Sequence, residues 1–399
     1  MKKKKAMWLF GGGPMQKLAA EKIKIRGFRL IITDMDPECV CAAIADEFVP
    51  LNTFDIPGNL KAADALNKKY DIKGVLGIAV DCHETVAVVA KRLGLPGIDP
   101  KISKICRYKM ETRKVLSRAG IPQPEFRTVR TLEELKRAIR EIGLPVALKA
   151  TNNSGSRGFA AISKLSEATE ELLEEALANG TTGQAIVEQL LIPVDGEIAE
   201  QSVETLWYDG KMYWLNWVDR LFRKDLGKFK NMRAIGKKLY HGIGWGVEIG
   251  HINPAIHDVG LKKEVAEMIY RSGKAIGMHK QKGGHILKAD VMLTETGPYI
   301  LELTPRLSGG WDSSHTTPAR SGDFVGGMIS MALGESLTIE AWNRYFAYGN
   351  PNLFASILTS IKKNAKNCIG RKFPKAGLGF SREESLADAY ENLVKRDYL

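Results

Sequence analysis

The first hundred residues alternate short apolar runs with helix-period stretches, and that alternation restricts this part of the chain to a parallel sheet flanked by helices. Residues 7–10 read as a buried first strand, Gly11-Gly12-Gly13-Pro14 as the turn after it, 15–25 as a helix, and 30–33 as a second strand ending at Asp34. Residues 75–80 form a further strand, followed by a helix over 83–93 that Gly94 and Pro96 stop. His83 reads as a helix-start residue. Gly11, Gly13 and Asp34 admit a dinucleotide site. However, Gln16 stands where the third glycine of G-x-G-x-x-G belongs, and a plain tight turn is the alternative.

Beyond Pro100 the pattern changes. A helix over 109–119 ends at Gly120-Ile121-Pro122, a strand follows at 126–129, and Thr131-Leu132-Glu133-Glu134 is a capping box opening a helix to 142. Strand 146–150 carries Lys149, a polar loop spans 151–158, and strand 159–162 and helix 166–178 close a small α+β unit. Strand-like runs at 185–188, 202–208 and 212–219, a basic stretch over 220–238, a helix over 261–277 and a hairpin through Glu302 then predict a larger antiparallel sheet with helices on one face. The expected fold class is therefore α/β and α+β: a Rossmann-like domain at 1–100, two α+β subdomains at 101–183 and 184–335, and a C-terminal extension at 336–399.

A chain of 399 residues holds roughly two to three such domains. Its longest apolar runs stop well short of the roughly 18 to 20 residues that cross a bilayer, so no membrane partner is expected. Only five apolar or small residues follow Lys2–Lys5 before three glycines, too few for a signal peptide, and the five cysteines include a C-x-C at 39–41 with no second pair. We read these as reduced thiols of a cytoplasmic protein. The formal charge of +12 comes with no RNP, zinc-finger or basic-zipper pattern, so nucleic acid is not an expected partner.

Strands at 289–293 and 299–303 flank a loop, Thr294 to Pro298, whose Gly and Pro mark a turn. A turn centred on Thr296 sets Asp290 directly opposite Glu302, with Met292, Ile300 and Thr304 on the same face and Val291, Leu301 and Leu303 on the other. Two opposed carboxylates repel unless something positive lies between them, and Mg²⁺ carrying nucleotide phosphates fits. A different register, or one carboxylate facing water, is the alternative. Arg306 offers a planar fork to a phosphoryl group, or forms a surface ion pair, and Ser308-Gly309-Gly310 offers backbone donors. No G-x-x-x-x-G-K-[ST] is present, so phosphates need another cradle. The loop Asn153 to Gly158 supplies main-chain donors, and Lys149 either points at the same phosphates or snorkels from its strand end.

In combination these segments resemble the ATP-grasp superfamily of carboxylate–amine and carboxylate–thiol ligases, over roughly residues 5 to 335. Trp8-Leu9-Phe10-Gly11-Gly12-Gly13, Asp34 and Leu93-Gly94-Leu95-Pro96-Gly97 are similar to the domain preceding the ATP-grasp fold, and Pro145-Val146-Ala147-Leu148-Lys149 to its phosphate-lysine strand. The resemblance implies phosphate contacts from Lys109, Lys149 and the loop residues Gly155, Ser156, Arg157 and Gly158. It also implies an adenine hinge at Glu188, Leu190 and Leu191, with Glu188 meeting the exocyclic amine, and ribose contact from Glu200, or from Glu197 if the strand begins earlier. Asp290 and Glu302 become the metal ligands, and Arg306 with Lys149 the catalytic cations. Thr304 stands where the family commonly has Asn. The implied activity is ATP-dependent: Mg²⁺, or Mn²⁺ in its place, assists phosphorylation of a small-molecule carboxylate to an acyl phosphate, which an amine or thiol intercepts. Partners are those small molecules, with a homodimer admitted. The segment Trp311 to Thr317 is expected at the acceptor pocket, with Arg220, Arg223 and Lys224 either facing it or lying on a solvated loop. A bicarbonate-using carboxylase or carbamoyl-phosphate-type enzyme, a dinucleotide oxidoreductase and a nucleotide-binding module without turnover are the competing readings.

Overall fold

The structure, a computed structural model, describes residues 3–152, 158–240, 246–359 and 375–395. Strands β1 (Lys4–Phe10), β2 (Arg29–Thr33), β3 (Glu47–Val49) and β4 (Tyr70–Gly77) make a parallel sheet in the order β3-β2-β1-β4. The apolar run of β1 is continuous because both sheet faces are covered. Met7 and Leu9 enter one core, while Ala6, Trp8 and Phe10 enter the other. Helices α1 (Lys17–Ile25), α2 (Ile56–Lys69) and α3 (His83–Arg92) supply the cover.

The glycine turn after β1 is closed on itself. Asp34 Oδ2 accepts the Gly12 N–H at 2.7 Å and its Oδ1 accepts the Asp36 N–H at 3.0 Å. Gln16, buried, donates through Nε2 to the Ile78 carbonyl at 2.6 Å. The donor that a pyrophosphate would need and the carboxylate that a ribose would need are thus committed to each other, which removes the support the dinucleotide reading drew from Gly11, Gly13 and Asp34.

Helices α4 (Pro100–Arg107) and α5 (Lys109–Arg118) lead into an antiparallel sheet of β5 (Phe126–Val129), β6 (Val146–Ala150), β7 (Ala160–Ile162) and β8 (Ala185–Gln189), ordered β5-β8-β6-β7. Thr131 caps its helix as its sequence indicates, its hydroxyl accepting the Glu134 N–H at 3.2 Å.

The large sheet comprises β9 (Glu200–Tyr208), β10 (Lys211–Phe222), β11 (Glu248–Asn253), β12 (Gly284–Thr294), β13 (Gly297–Thr304), β14 (Phe354–Leu358) and β15 (Gly377–Gly379), ordered β13-β12-β9-β10-β11-β14-β15. The helix Val259–Ile276 buries Val265, Met268 and Ile269 against β9, β12 and β13. The segment expected as a C-terminal extension is not separate. It supplies β14 and β15, and the helix Arg382–Lys395 packs Leu386, Ala389 and Leu393 with Ile249 and Leu358. Similarly, Phe324, Val325, Ile329 and Phe346 complete the core around Met7 and Leu9, so chain segments on either side of 335 pack on the first domain.

The hairpin differs from expectation in its turn and agrees in its register at the acids. The strands run on to Thr294 and from Gly297, leaving two loop residues where five were expected. A β-bulge beyond Asp290 then restores the pairing: Met292 faces Tyr299 and Val291 faces Ile300, but Asp290 faces Glu302 and Lys288 faces Thr304. The bulge also reverses two side chains. Ile300 is in the core, and Leu301, expected on the far face, turns to the same cavity as Glu302.

Among the described residues no helix is long and apolar enough to cross a membrane. Cys39, Cys41, Cys82 and Cys106 are unbridged thiols.

Candidate active site

Strand alternation projects even-numbered residues of β9, β10 and β12 from one face of the large sheet, and the small sheet roofs that face to leave a cavity of about 380 Å³. Lys109, Lys149, Leu190, Leu191, Glu200, Asp290 and Glu302, all expected from the sequence, line it, together with Phe159, Arg220, Lys224, Glu248, Met292 and Leu301. One wall is apolar and aromatic. The floor is densely charged.

The two lysines are coupled through the backbone, since the Lys109 N–H donates to the Thr151 carbonyl, at 2.9 Å, just past the end of β6. Lys109 Nζ lies 3.3 Å from Glu302 Oε1, and Lys149 Nζ donates to Glu188 Oε2 at 2.7 Å. Gly155, Ser156 and Arg157 lie outside the described residues. Gly158, at φ +66°, adopts the left-handed conformation that glycine favours and closes the end of β6 by accepting the Ala150 N–H at 3.2 Å.

Glu188 corrects the reading of the hinge. Its carboxylate is fully buried, does not line the cavity, and is held by Lys149 on one oxygen and by Arg113 Nε at 2.7 Å on the other. Burial alone would raise this carboxyl. Arg113 and Lys149 outweigh it and hold Glu188 well below the usual carboxylate range. An anion so paired is not available to an exocyclic amine, and its partner Arg113 comes from α5, 75 residues away.

The opposed acids are also compensated from within the chain. Lys288 Nζ lies 2.5 Å from Asp290 Oδ1, and Arg220 Nη1 lies 3.3 Å from Asp290 Oδ2. Arg220 also binds Glu200, and donates to Glu248 Oε2 through Nε at 3.1 Å and Nη2 at 2.7 Å. Burial works against ionising Asp290, but Arg220 and Lys288 keep its carboxyl below the ordinary value. Burial, reinforced by Asp290 and Glu248, pushes Glu200 up despite Arg220. The cross-strand repulsion thus has protein counter-charges, which the hairpin alone could not reveal: Arg220 belongs to β10. Lys288 was legible in principle, being two residues before Asp290 and hence on its face.

Whether the residues fit a divalent ion can be judged from the donors. Asp290 and Glu302 present hard carboxylate oxygens on paired strands, and the buried Thr304 hydroxyl, two residues on, has no hydrogen-bond partner among the described residues. This donor set suits Mg²⁺ bound jointly with phosphate oxygens. Among the described residues no cluster of three or more metal-ligating side chains forms.

Arg306 is not in the cavity wall. Its Nε and Nη2 both donate to Asp81 Oδ1, at 3.0 and 2.5 Å, and its Nη1 donates to the Leu307 carbonyl at 2.9 Å. The glycine turn after it is partly committed too, because the Ser308 N–H donates to Glu204 Oε1 at 2.6 Å. Trp311 to Thr317 form a short helical turn in which Asp312 is buried. Asp312 Oδ1 accepts from Thr316 Oγ1 at 2.6 Å and from Asn253 Nδ2 at 2.9 Å, and Asn216 Nδ2 bridges Asp312 and Glu204 at 3.1 and 3.3 Å.

Glu204 was not singled out from the sequence. Burial and the nearby Asp312 carboxylate push it up to about 7, above the value near 4.3 expected for an unfolded chain. The native state therefore holds a proton that the unfolded state has released, so this group's contribution to stability falls as pH rises from about 4.5 through about 7. Urea midpoints from pH 5 to 8 test this: Glu204→Gln should flatten the decline relative to wild type, and parallel profiles would contradict it.

No family model matches the chain. It is 25% identical over 233 residues to the alanine–anticapsin ligase of Bacillus amyloliquefaciens, covering 56% of this chain and 46% of that protein. The chain spans about half the length of the curated relatives it matches. Among solved structures, the L-amino acid ligase from Bacillus licheniformis superimposes with a TM-score of 0.71 at 16% identity, covering 98% of both chains. An ADP complex of N5-carboxyaminoimidazole ribonucleotide synthetase gives 0.70 at 17% identity, over 99% of this chain and 98% of that one.

Proposed function

We propose that this chain, an ATP-grasp protein, is an ADP-forming ligase that activates a small-molecule carboxylate as an acyl phosphate for attack by an amine. The observation that carries the reading is the placement of Asp290 and Glu302 as direct cross-strand partners in a cavity that also holds Lys109 and Lys149. ATP as the phosphoryl donor and Mg²⁺ as its counter-ion belong to the same reading.

Asp290 and Glu302 would hold Mg²⁺, which when bound supplies neutralisation of phosphate charge. The chain's own work is binding and orientation. Lys109 and Lys149 place ammonium groups at the phosphates, Leu190, Leu191 and Phe159 form the apolar wall for a base, and Glu200 is a candidate for the ribose hydroxyls. An oxygen of the substrate carboxylate attacks the γ-phosphorus as the bond to ADP breaks. Lys109 and Lys149 offset the charge that develops there, whereas Arg306, expected in that role, is held by Asp81 outside the cavity wall. The amine then attacks the acyl carbon and inorganic phosphate leaves. No side chain serves as a covalent nucleophile.

A panel of amino and hydroxy acids, each paired with amines in the presence of ATP and Mg²⁺, tests the reading through phosphate release and product mass. Release that needs one acid and yields a coupled product is the expected outcome. Release that needs only bicarbonate would replace the ligase with a carboxylase, and no release with any acid would reject turnover.

A further inference from the structure

Three cations of the chain meet the two opposed acids, and they differ in what an incoming anion can do to them. Lys109, on Glu302, and Arg220, on Asp290, both line the cavity, so phosphate oxygens can draw them off. Lys288 is out of such reach. It is 7% exposed, does not line the cavity, and stands 2.5 Å from Asp290 Oδ1. Glu204 lies directly opposite it on β9, but the Glu204 oxygens accept the Ser308 N–H at 2.6 Å and Asn216 Nδ2 at 3.3 Å. Among the described residues Asp290 is the one acid with which Lys288 forms an ion pair. The ammonium approaches Oδ1 outside hydrogen-bonding alignment, so Oδ1 is buried without a hydrogen-bond partner among the described residues. So is the hydroxyl of Thr304, which faces Lys288 from β13. Two unpaired buried oxygens beside the Glu302 carboxylate are donors that a hard ion completes, while the charge of Lys288 at the same place opposes one.

We infer that Lys288 is a fixed counter-cation that sets the strength of this site: with its charge present, Asp290 and Glu302 hold a divalent ion only together with phosphate, and without it they hold one alone. The inference rests on the proposed function, which identifies where the ion binds. Before nucleotide enters, Asp290, Glu302, Glu200 and Glu248 are paired with Arg220, Lys288 and Lys109. Four carboxylates against three cations leave little net charge to draw a divalent ion. Phosphate adds negative charge and attracts Lys109 and Arg220 away from the acids. The Lys288 charge stays on Asp290 throughout, so affinity for the ion depends on the phosphates.

The test is titration of the nucleotide-free protein with Mn²⁺, read from the electron paramagnetic resonance of the free ion. Wild type and Lys288→Arg, which keeps the charge, should bind with a dissociation constant of about 1 mM or weaker. Lys288→Met should bind one ion at least about tenfold more tightly. Adding Glu302→Gln to Lys288→Met should abolish the gain, which assigns it to the acid pair and not to a surface site. Should Lys288→Met fail to fold, Lys288→Gln, which keeps a polar head in the same place, should show the same gain. Equal affinity of wild type and the uncharged variants, or micromolar binding by nucleotide-free wild type, would overturn the inference while leaving the ligase reading intact. Wild type mixed with Mn²⁺ and a non-hydrolysable ATP analogue should enhance water-proton relaxation beyond the analogue and ion alone. Absence of that enhancement would overturn both the inference and the metal site of the proposed function.

Discussion

Replacing Glu302 by glutamine is expected to lower acid-dependent ADP release by about 10²- to 10³-fold or more, the range in which loss of one preorganised electrostatic group falls. The substitution keeps the side chain's size and its place opposite Asp290, but it removes the negative charge that Lys109 approaches at 3.3 Å and that a divalent ion would need. Asp290→Asn should behave similarly, with an added cost in folding because Lys288 and Arg220 would both lose their shared counter-charge. Turnover of Glu302→Gln near the wild-type rate would remove the hairpin from the mechanism.

The second large effect is on stability. Arg113 is 2% exposed and donates to Glu188, to the Ile300 carbonyl at 3.1 Å and to the Leu301 carbonyl at 2.7 Å, so one guanidinium joins α5, β8 and the bulge in β13. Arg113→Met fills the volume but leaves a buried carboxylate with Lys149 alone and deprives both bulge carbonyls of the Arg113 donor. Urea unfolding should show a loss of about 3–5 kcal/mol, as for other broken buried pairs. A loss below about 1 kcal/mol, the scale of a surface pair, would mean that the network is not what holds the two sheets in register.

These two predictions divide along the line between what was legible in the sequence and what was not. Asp290 opposite Glu302 followed from period-two alternation and a Gly-Pro turn, which are local. The loop length was misjudged and a compensating bulge kept the acids paired, because the bulge is fixed by Arg113 and by the Ile300 N–H donating to the Pro122 carbonyl at 2.9 Å, both distant in sequence. Lys109, Lys149, Leu190, Leu191 and Glu200 reached the cavity as the motif order implied. Glu188 did not, since its role depends on a helix that no pattern at 185–188 reveals. Arg220, expected either at an acceptor pocket or on a solvated loop, lies among Glu200, Glu248 and Asp290, which come from three strands and meet only when the sheet forms. Gln16, which breaks a glycine pattern, acquires meaning from a carbonyl 62 residues away, and Asp81, which belongs to no pattern, from an arginine 225 residues away.

The most direct test of the account is calorimetric titration of the wild-type protein and of an Asp290→Asn/Glu302→Gln variant with ATP, with and without Mg²⁺. Saturable heat that requires both nucleotide and metal in the wild type, weakened at least about tenfold in the variant, is the predicted result. No saturable heat from the wild type, or equal affinity in the variant, would contradict it.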